Sequence, residues 1–101
     1  MLRSITPFCY DNHMDNIIPD QELAQRLKNA AKQVKVGAIY THYKNKTYKV
    51  ISLALLEATT EPCVIYQEQH GERLTFVRPL TNWLETVDHH GKTVPRFSKE
   101  Y

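Results

Sequence analysis

Glycine, cysteine and tryptophan are scarce in this chain, which has three glycines, two cysteines and one tryptophan among 101 residues. With glycine only at Gly37, Gly71 and Gly91, neither a GxxxxGK nor a GxGxxG loop is present, so the backbone cradles that such loops build for phosphates are excluded. Cys9 and Cys63 are too few for the disulfide framework that a secreted domain of this size normally carries. No CxxC, HxxxH or HExxH pair occurs, so His13, His42, His70, His89 and His90 lack the local spacing of zinc ligands. Neither a nucleophile elbow nor a Cys–His signature accompanies Cys63, which follows Pro62 and reads as a small strand residue. No window approaches the ~20 apolar residues of a membrane span. The start, "MLRSITPFCYDNH", has no apolar run suited to a signal peptide. A cytoplasmic protein with no cofactor, no metal and no membrane contact is the expectation.

The composition is that of a soluble globular domain: 42% hydrophobic and 24% charged. A chain of this length buries roughly two-thirds of its unfolded surface, enough for one modest core without staples. The formal charge of +2 is too small to argue for nucleic acid by itself, since such binders usually carry a clustered basic face.

Three segments follow from the pattern. Residues 1–18 read as an irregular arm. Residues 19–35 read as an amphipathic helix. Pro19 or Asp20 opens it, Asp20 and Glu22 suit the positive end of its dipole, and Leu23, Leu27, Ala30, Ala31 and Val34 share one face. Beyond Gly37 the period drops from 3.6 to 2, and residues 36–101 read as a small β domain. "VGAIYTHYKNKTYKVISLALL" is two strands around Lys44-Asn45-Lys46. "CVIYQEQ" and "LTFVR" are a hairpin turned at Gly71, and "VPRF" is a final strand. "TNWLETV" fits either a short helical turn or an edge strand. Strict alternation would place Tyr48, Val50, Ser52 and Ala54 opposite Lys49, Ile51, Leu53 and Leu55. Both sets contain apolar groups, which a flat sheet with one wet face does not need. The fold expected is mainly β (α+β): a small curled antiparallel sheet or SH3-like barrel of about five strands with one N-terminal helix.

From Val36 to Phe97 the chain resembles the bacterial family known as domain-of-unknown-function 1653. The resemblance rests on Gly37 with "YTHYKNKTYKV", on "VIYQ", on Gly71-Glu72, and on "VRPL", "LETV" and "GKTVPRF", in order and without large gaps. It departs at Leu55–Thr60, where the family has a polar run, and at His70, where the family tends to have tyrosine. The resemblance implies a small, free-standing, cytoplasmic β domain and supplies no reaction.

Candidate site residues lie on the strands. Rings are plentiful: Tyr40, Tyr43, Tyr48, Tyr66, Phe76 and Trp83. Tyr66, Glu68 and His70 share a strand face, and His42 stands near Lys44, Lys46 and Lys49. Aromatics flanked by cations stack bases or grip extended peptides, and they also build cores. Arg78 sits between Val77 and Pro79 in an apolar stretch. An arginine there needs an anion, either a carboxylate of its own (Glu68, Glu72 or Glu85) or that of a ligand. The expected surface joins Tyr40, His42 and Tyr43 to Tyr66, Glu68 and Arg78. It would serve a binding or regulatory module for a peptide, single-stranded nucleic acid or small anionic metabolite, with no catalytic residue assigned. Two alternatives stay open. One is a small enzyme acting on a nucleotide or phosphorylated metabolite, with His42 or Glu68 as acid or base. The other is a homo-oligomer packed through Leu23, Leu27 and Val34, so the chain is expected as a monomer or homodimer.

Overall fold

The computed structural model describes residues 17–100. The expected arm, residues 1–18, falls almost wholly outside them. Helix α1 spans Asp20–Ala31. Seven strands follow: β1 Ile39–His42, β2 Lys46–Leu55, β3 Pro62–Glu68, β4 Thr75–Pro79, β5 Thr86–His89, β6 Lys92–Pro95 and β7 Phe97–Lys99. A one-turn helix, α2 (Leu80–Trp83), separates β4 from β5.

α1 begins where expected. Pro19 is its N-cap, and its carbonyl accepts the N–H groups of Glu22 and Leu23 at 3.0 and 3.1 Å. The regular helix ends at Ala31, short of residue 35. Residues 32–34 continue as a turn, in which Gln33 and Val34 both donate to the Ala30 carbonyl. Gly37 then takes φ 91°, a left-handed value that turns the chain into β1. The Tyr40 hydroxyl accepts the Lys35 N–H at 3.0 Å, so that ring also fastens the helix exit. Farther up α1, Arg26 donates to the carbonyl and hydroxyl of Thr60 and ties the helix to the β2–β3 connection.

The main sheet is antiparallel, in the order β4-β3-β2-β1-β7, and β5 pairs with β6 as a separate hairpin. The sheet is small and curled. Among the described residues it does not close into a barrel, because β4 and β7 each pair on one side only. Its curl is visible in the side chains: Arg78 of β4 reaches across to the Phe97 ring of β7. A β-bulge between Val50 and Ser52 corrects the strict alternation expected for β2. One extra residue flips every side chain beyond it, so Leu53 joins Tyr48 and Val50 against the core, and Ile51 stands exposed. The same bulge bends the strand, which accounts for apolar residues at both parities.

"TNWLETV" is both things it resembled. Leu80–Trp83 forms the helical turn and Thr86 opens a strand. "VPRF" divides at Arg96 between β6 and β7. The core joins Ala30 of α1 and Val34 of the turn after it to Tyr40, Val50, Val64 and Tyr66 of the sheet, with Leu80, Trp83 and Phe97 closing it. The helix stripe therefore faces its own sheet: Ala30 and Val34 are buried there, and Leu23 and Leu27 are half-buried. Among the described residues no helix is long and apolar enough to cross a membrane.

Candidate anion-binding site

The inner face of the sheet carries two kinds of surface. Around Tyr40, Val50 and Val64 it lies under α1. Towards β7 and β4 it becomes a floor of stacked rings. Trp83 lies parallel on Phe97, with centroids 3.6 Å apart and planes 5° apart. Tyr66 meets both edge-on, at 5.0 Å from Trp83 and 5.7 Å from Phe97. Tyr48 packs edge-on against Tyr66 at 5.2 Å, and His42 against Phe97 at 5.0 Å. The register explains the gathering, since His42 pairs with Phe97, Tyr48 with Tyr40, and Val50 with Tyr66.

Arg78 lies on this floor. Its guanidinium carbon is 5.3 Å from the Phe97 ring centroid and 6.0 Å from that of Tyr66, within cation–π range. Its Nε donates to the Tyr66 hydroxyl at 3.1 Å and its Nη1 to Asn82 Oδ1. None of the three carboxylates expected to pair with it does so. Glu85 Oε1 takes Arg96 Nη2 at 2.9 Å. Glu68 Oε1 accepts the Leu74 N–H at 3.0 Å and so caps the β3–β4 connection. Glu72 is exposed in that connection. Among the described residues Arg78 has no carboxylate partner, and its Nη2 makes no hydrogen bond. Arg96 is the second cation at the site. Its Nε donates to the Asn82 carbonyl at 3.1 Å, so Asn82 holds one arginine by its side chain and the other by its backbone.

The polar groups around the arginines are tuned by this field. Burial first, then the charges of Arg78, Lys44 and Arg96, push the His42 pKa below its ordinary value. His42 is therefore neutral at pH 7. Its Nδ1 accepts the Lys44 N–H at 3.2 Å, which leaves the proton on Nε2. Burial, and next the neighbouring Tyr66 and Glu68, raise the Tyr48 phenol, which stays protonated as a donor. His70 packs edge-on against Tyr48 at 5.7 Å, and its buried Nε2 has no partner among the described residues.

The six residues singled out from sequence thus separate. His42, Tyr66 and Arg78 come together on the ring floor. Tyr40 lies on the same face but is buried, its edge against Trp83 at 5.3 Å and its hydroxyl used by the helix exit. Glu68 is engaged by the turn. Tyr43 lies beyond the end of β1, against His42 and His89, where together with His42, Thr41, Val94 and Ser98 it lines a cavity of about 190 Å³. Trp83, Phe97, Asn82, Arg96 and Tyr48 complete the floor. The first three were not legible as site residues, since "TNW" and "PRF" carry no motif and their rings meet only when the sheet curls. Cys63 offers no chemistry here. It is 3% exposed, burial and then Glu61 push its thiol pKa up, and its Sγ points to the Glu61 carbonyl at 3.8 Å. Among the described residues no group of three or more His, Cys, Asp or Glu is placed to hold a metal ion.

The chain has a solved relative. The crystal structure of a protein of the DUF1653 family from Bordetella bronchiseptica is 32% identical to it, and the similarity covers 65% of this chain and 87% of that one with a TM-score of 0.58. No curated protein matches the chain. The family profile matches residues 38–99, which include β1 to β7 and the whole ring floor and leave α1 outside. By that match the chain belongs to the family described as protein of unknown function, DUF1653.

Proposed function

We propose that the protein is a non-enzymatic cytoplasmic binding module whose ring floor takes a small anionic metabolite. The observation that carries this reading is Arg78: a guanidinium laid on aromatic rings, fixed by two neutral acceptors, with Nη2 free of hydrogen bonds among the described residues. A guanidinium so placed is a preorganised half of a bidentate pair with a carboxylate or phosphate. Arg96, paired with Glu85, stands beside it, and the Tyr48 hydroxyl and His42 Nε2–H are neutral donors on the same face. The half-exposed rings of Tyr48 and His42 and the exposed Phe76 suit a ligand with an apolar or planar part beside its anionic group. The two arginines converge on Asn82 rather than forming a stripe, which favours a compact ligand over a strand of nucleic acid or a long peptide.

Catalysis has less support. A general base needs an unprotonated nitrogen facing the substrate, and the His42 nitrogen without its proton is occupied by the Lys44 N–H.

The test uses the single tryptophan. Trp83 stacks on the ring that carries Arg78, so an anion seated on the guanidinium changes Trp83 emission. Titration with dicarboxylates, aromatic carboxylates, nucleoside monophosphates, an oligothymidylate and an acidic peptide should give saturable changes with the small anions. Arg78→Ala should weaken them at least about tenfold, equivalent to about 1.4 kcal/mol. Arg78→Lys, which keeps charge but loses the fork, should recover only part. A folded Arg78→Ala protein that binds the same anions as well as wild type would falsify the assignment. Binding of the oligothymidylate or the peptide alone would replace it.

A further inference from the structure

The cavity beside Tyr43 lies where the β5–β6 hairpin meets the β1–β7 edge of the main sheet. The end of β1 supplies Thr41, with Tyr43 just beyond it. The hairpin supplies His89 and Val94, and β7 supplies Ser98, the register partner of Thr41. Backbone bonds hold these parts together. The Tyr43 N–H donates to the Arg96 carbonyl at 3.0 Å, and the Arg96 N–H donates to the Glu85 carbonyl at 2.9 Å.

Four rings stand in file here. His42 is 4.5 Å from Tyr43, Tyr43 meets His89 edge-on at 5.3 Å, and His89 is 4.1 Å from His90. The placement has a local cause. His90 and Gly91 take φ 54° and 79°, the left-handed pair of a two-residue hairpin turn, which sets His89 directly across from Lys92. His89 thus has a ring on either side of it, and the wall it forms with Tyr43 exists before any ligand arrives.

Size, shape and charge then narrow the occupant. A dry cavity of about 150 Å³ admits benzene, so about 190 Å³ holds one ring with its substituents. Walls made of rings favour a planar guest. No lining residue is a carboxylate, an ammonium or a guanidinium. Two charges stand just outside the lining, with opposite signs. The Lys44 ammonium is 5.8 Å from the Tyr43 ring centroid, and the Glu100 carboxylate accepts the Thr41 hydroxyl at 2.6 Å. The side chains of Asn45, Ser98 and His89 also line the cavity and make no hydrogen bond among the described residues. A carboxamide, a hydroxyl and an imidazole offer donors and acceptors to a polar ring edge.

The geometry points to a second binding site in this cavity, for an uncharged single-ring heterocycle with an amide edge, as a pyrimidine base has. The ring lies against Tyr43 and His89, and its amide edge meets Asn45 and Ser98. This site does not use Arg78, so it is distinct from the anion site, and His42 is the wall that the two share.

NMR of the histidine-ring and valine-methyl signals of the full chain tests this, with uracil as the probe. Uracil should give saturable shifts at His42, His89 and Val94, and should give them equally in Arg78→Ala. Cyclohexanecarboxamide, an amide on a non-planar ring, should give none. Orotate, the carboxylated counterpart of uracil, should bind Arg78→Ala no more tightly than uracil does. Val94→Phe, which fills the cavity, should weaken uracil at least about tenfold with an unchanged circular dichroism spectrum. Tyr43→Leu, which removes the ring wall, should weaken it too, and it stands in if Val94→Phe does not fold. Uracil that leaves His89 and Val94 unmoved overturns the inference, as does uracil binding that Arg78→Ala abolishes. Saturable shifts with the non-planar amide, tighter orotate binding in Arg78→Ala, or uracil binding at wild-type strength in the cavity variants overturn it as well.

Discussion

At one end of the sheet's inner face, Tyr40, Val50 and Val64 are closed over by Ala30 of α1 and Val34 just beyond it. At the other end the same strands present His42, Tyr48 and Arg78, all half-exposed over a floor of Trp83 and Phe97. The first end is made of apolar groups that need only volume and exclusion of water. The second is made of rings with polar handles and two cations, of which Arg96 is paired with Glu85 and Arg78 has no carboxylate partner among the described residues. The covering helix lies outside the family match, whereas the open end lies wholly within it. That difference teaches where to look for a shared activity: in the face left uncovered, not in the part sealed for stability.

The comparison is broken most severely at Trp83, the buried ring that joins the two ends. Trp83→Ala removes the ring stacked on Phe97 and edged by Tyr40 and Tyr66. It should cost about 3–5 kcal/mol in urea unfolding, because the neighbouring rings cannot collapse into the gap. Ala30 is fully buried at the helix–sheet contact, so Ala30→Leu should cost about 1–3 kcal/mol by overpacking and should spare ligand binding. At the open end the balance reverses. Arg78→Ala should change binding far more than stability, since the guanidinium is held by two neutral groups and buries no paired charge.

The smallest effect expected is a pH slope. His42 has a folded pKa below its ordinary 6.5, so the unfolded chain binds the proton more readily. Stability contributed here is therefore present above pH 6.5, falls as pH drops towards the folded value, and levels off below it. His42→Gln should flatten that part of the stability profile relative to wild type. A bound anion should flatten it too, since it offsets the charges that hold His42 neutral. An identical slope in the variant would remove His42 from the account.

The helix and the turns were legible because their causes are local. Asp20 and Glu22 opening α1, Asn45 at φ 71°, and Gly71 and Gly91 at positive φ all act within a few residues. The third and fourth strands were legible for the same reason: β-favouring residues bounded by Pro62, Gly71 and Pro79. The bulge was not. Tyr48 to Leu55 reads as unbroken alternation, and only its pairing with β3 shows where one residue is left over. Nor was the curled but open sheet distinguishable from a closed barrel, since closure depends on how strands far apart in sequence meet.

The candidate site divides along the same line. Arg78 could be singled out from its neighbours alone, because a guanidinium in an apolar strand end requires polar partners whatever the fold. Its candidate carboxylates were chosen by sequence proximity, and the structure assigns two of them elsewhere: Glu85 to Arg96 and Glu68 to a turn amide. Sequence by itself determined the helix, the hairpins and the need for a partner at Arg78, since these follow from backbone angles, periodicity and the desolvation of one charge. Only the tertiary structure brought Phe97 and Trp83 beneath that charge. Their placement depends on strand order and curl, which long-range packing fixes and local sequence does not.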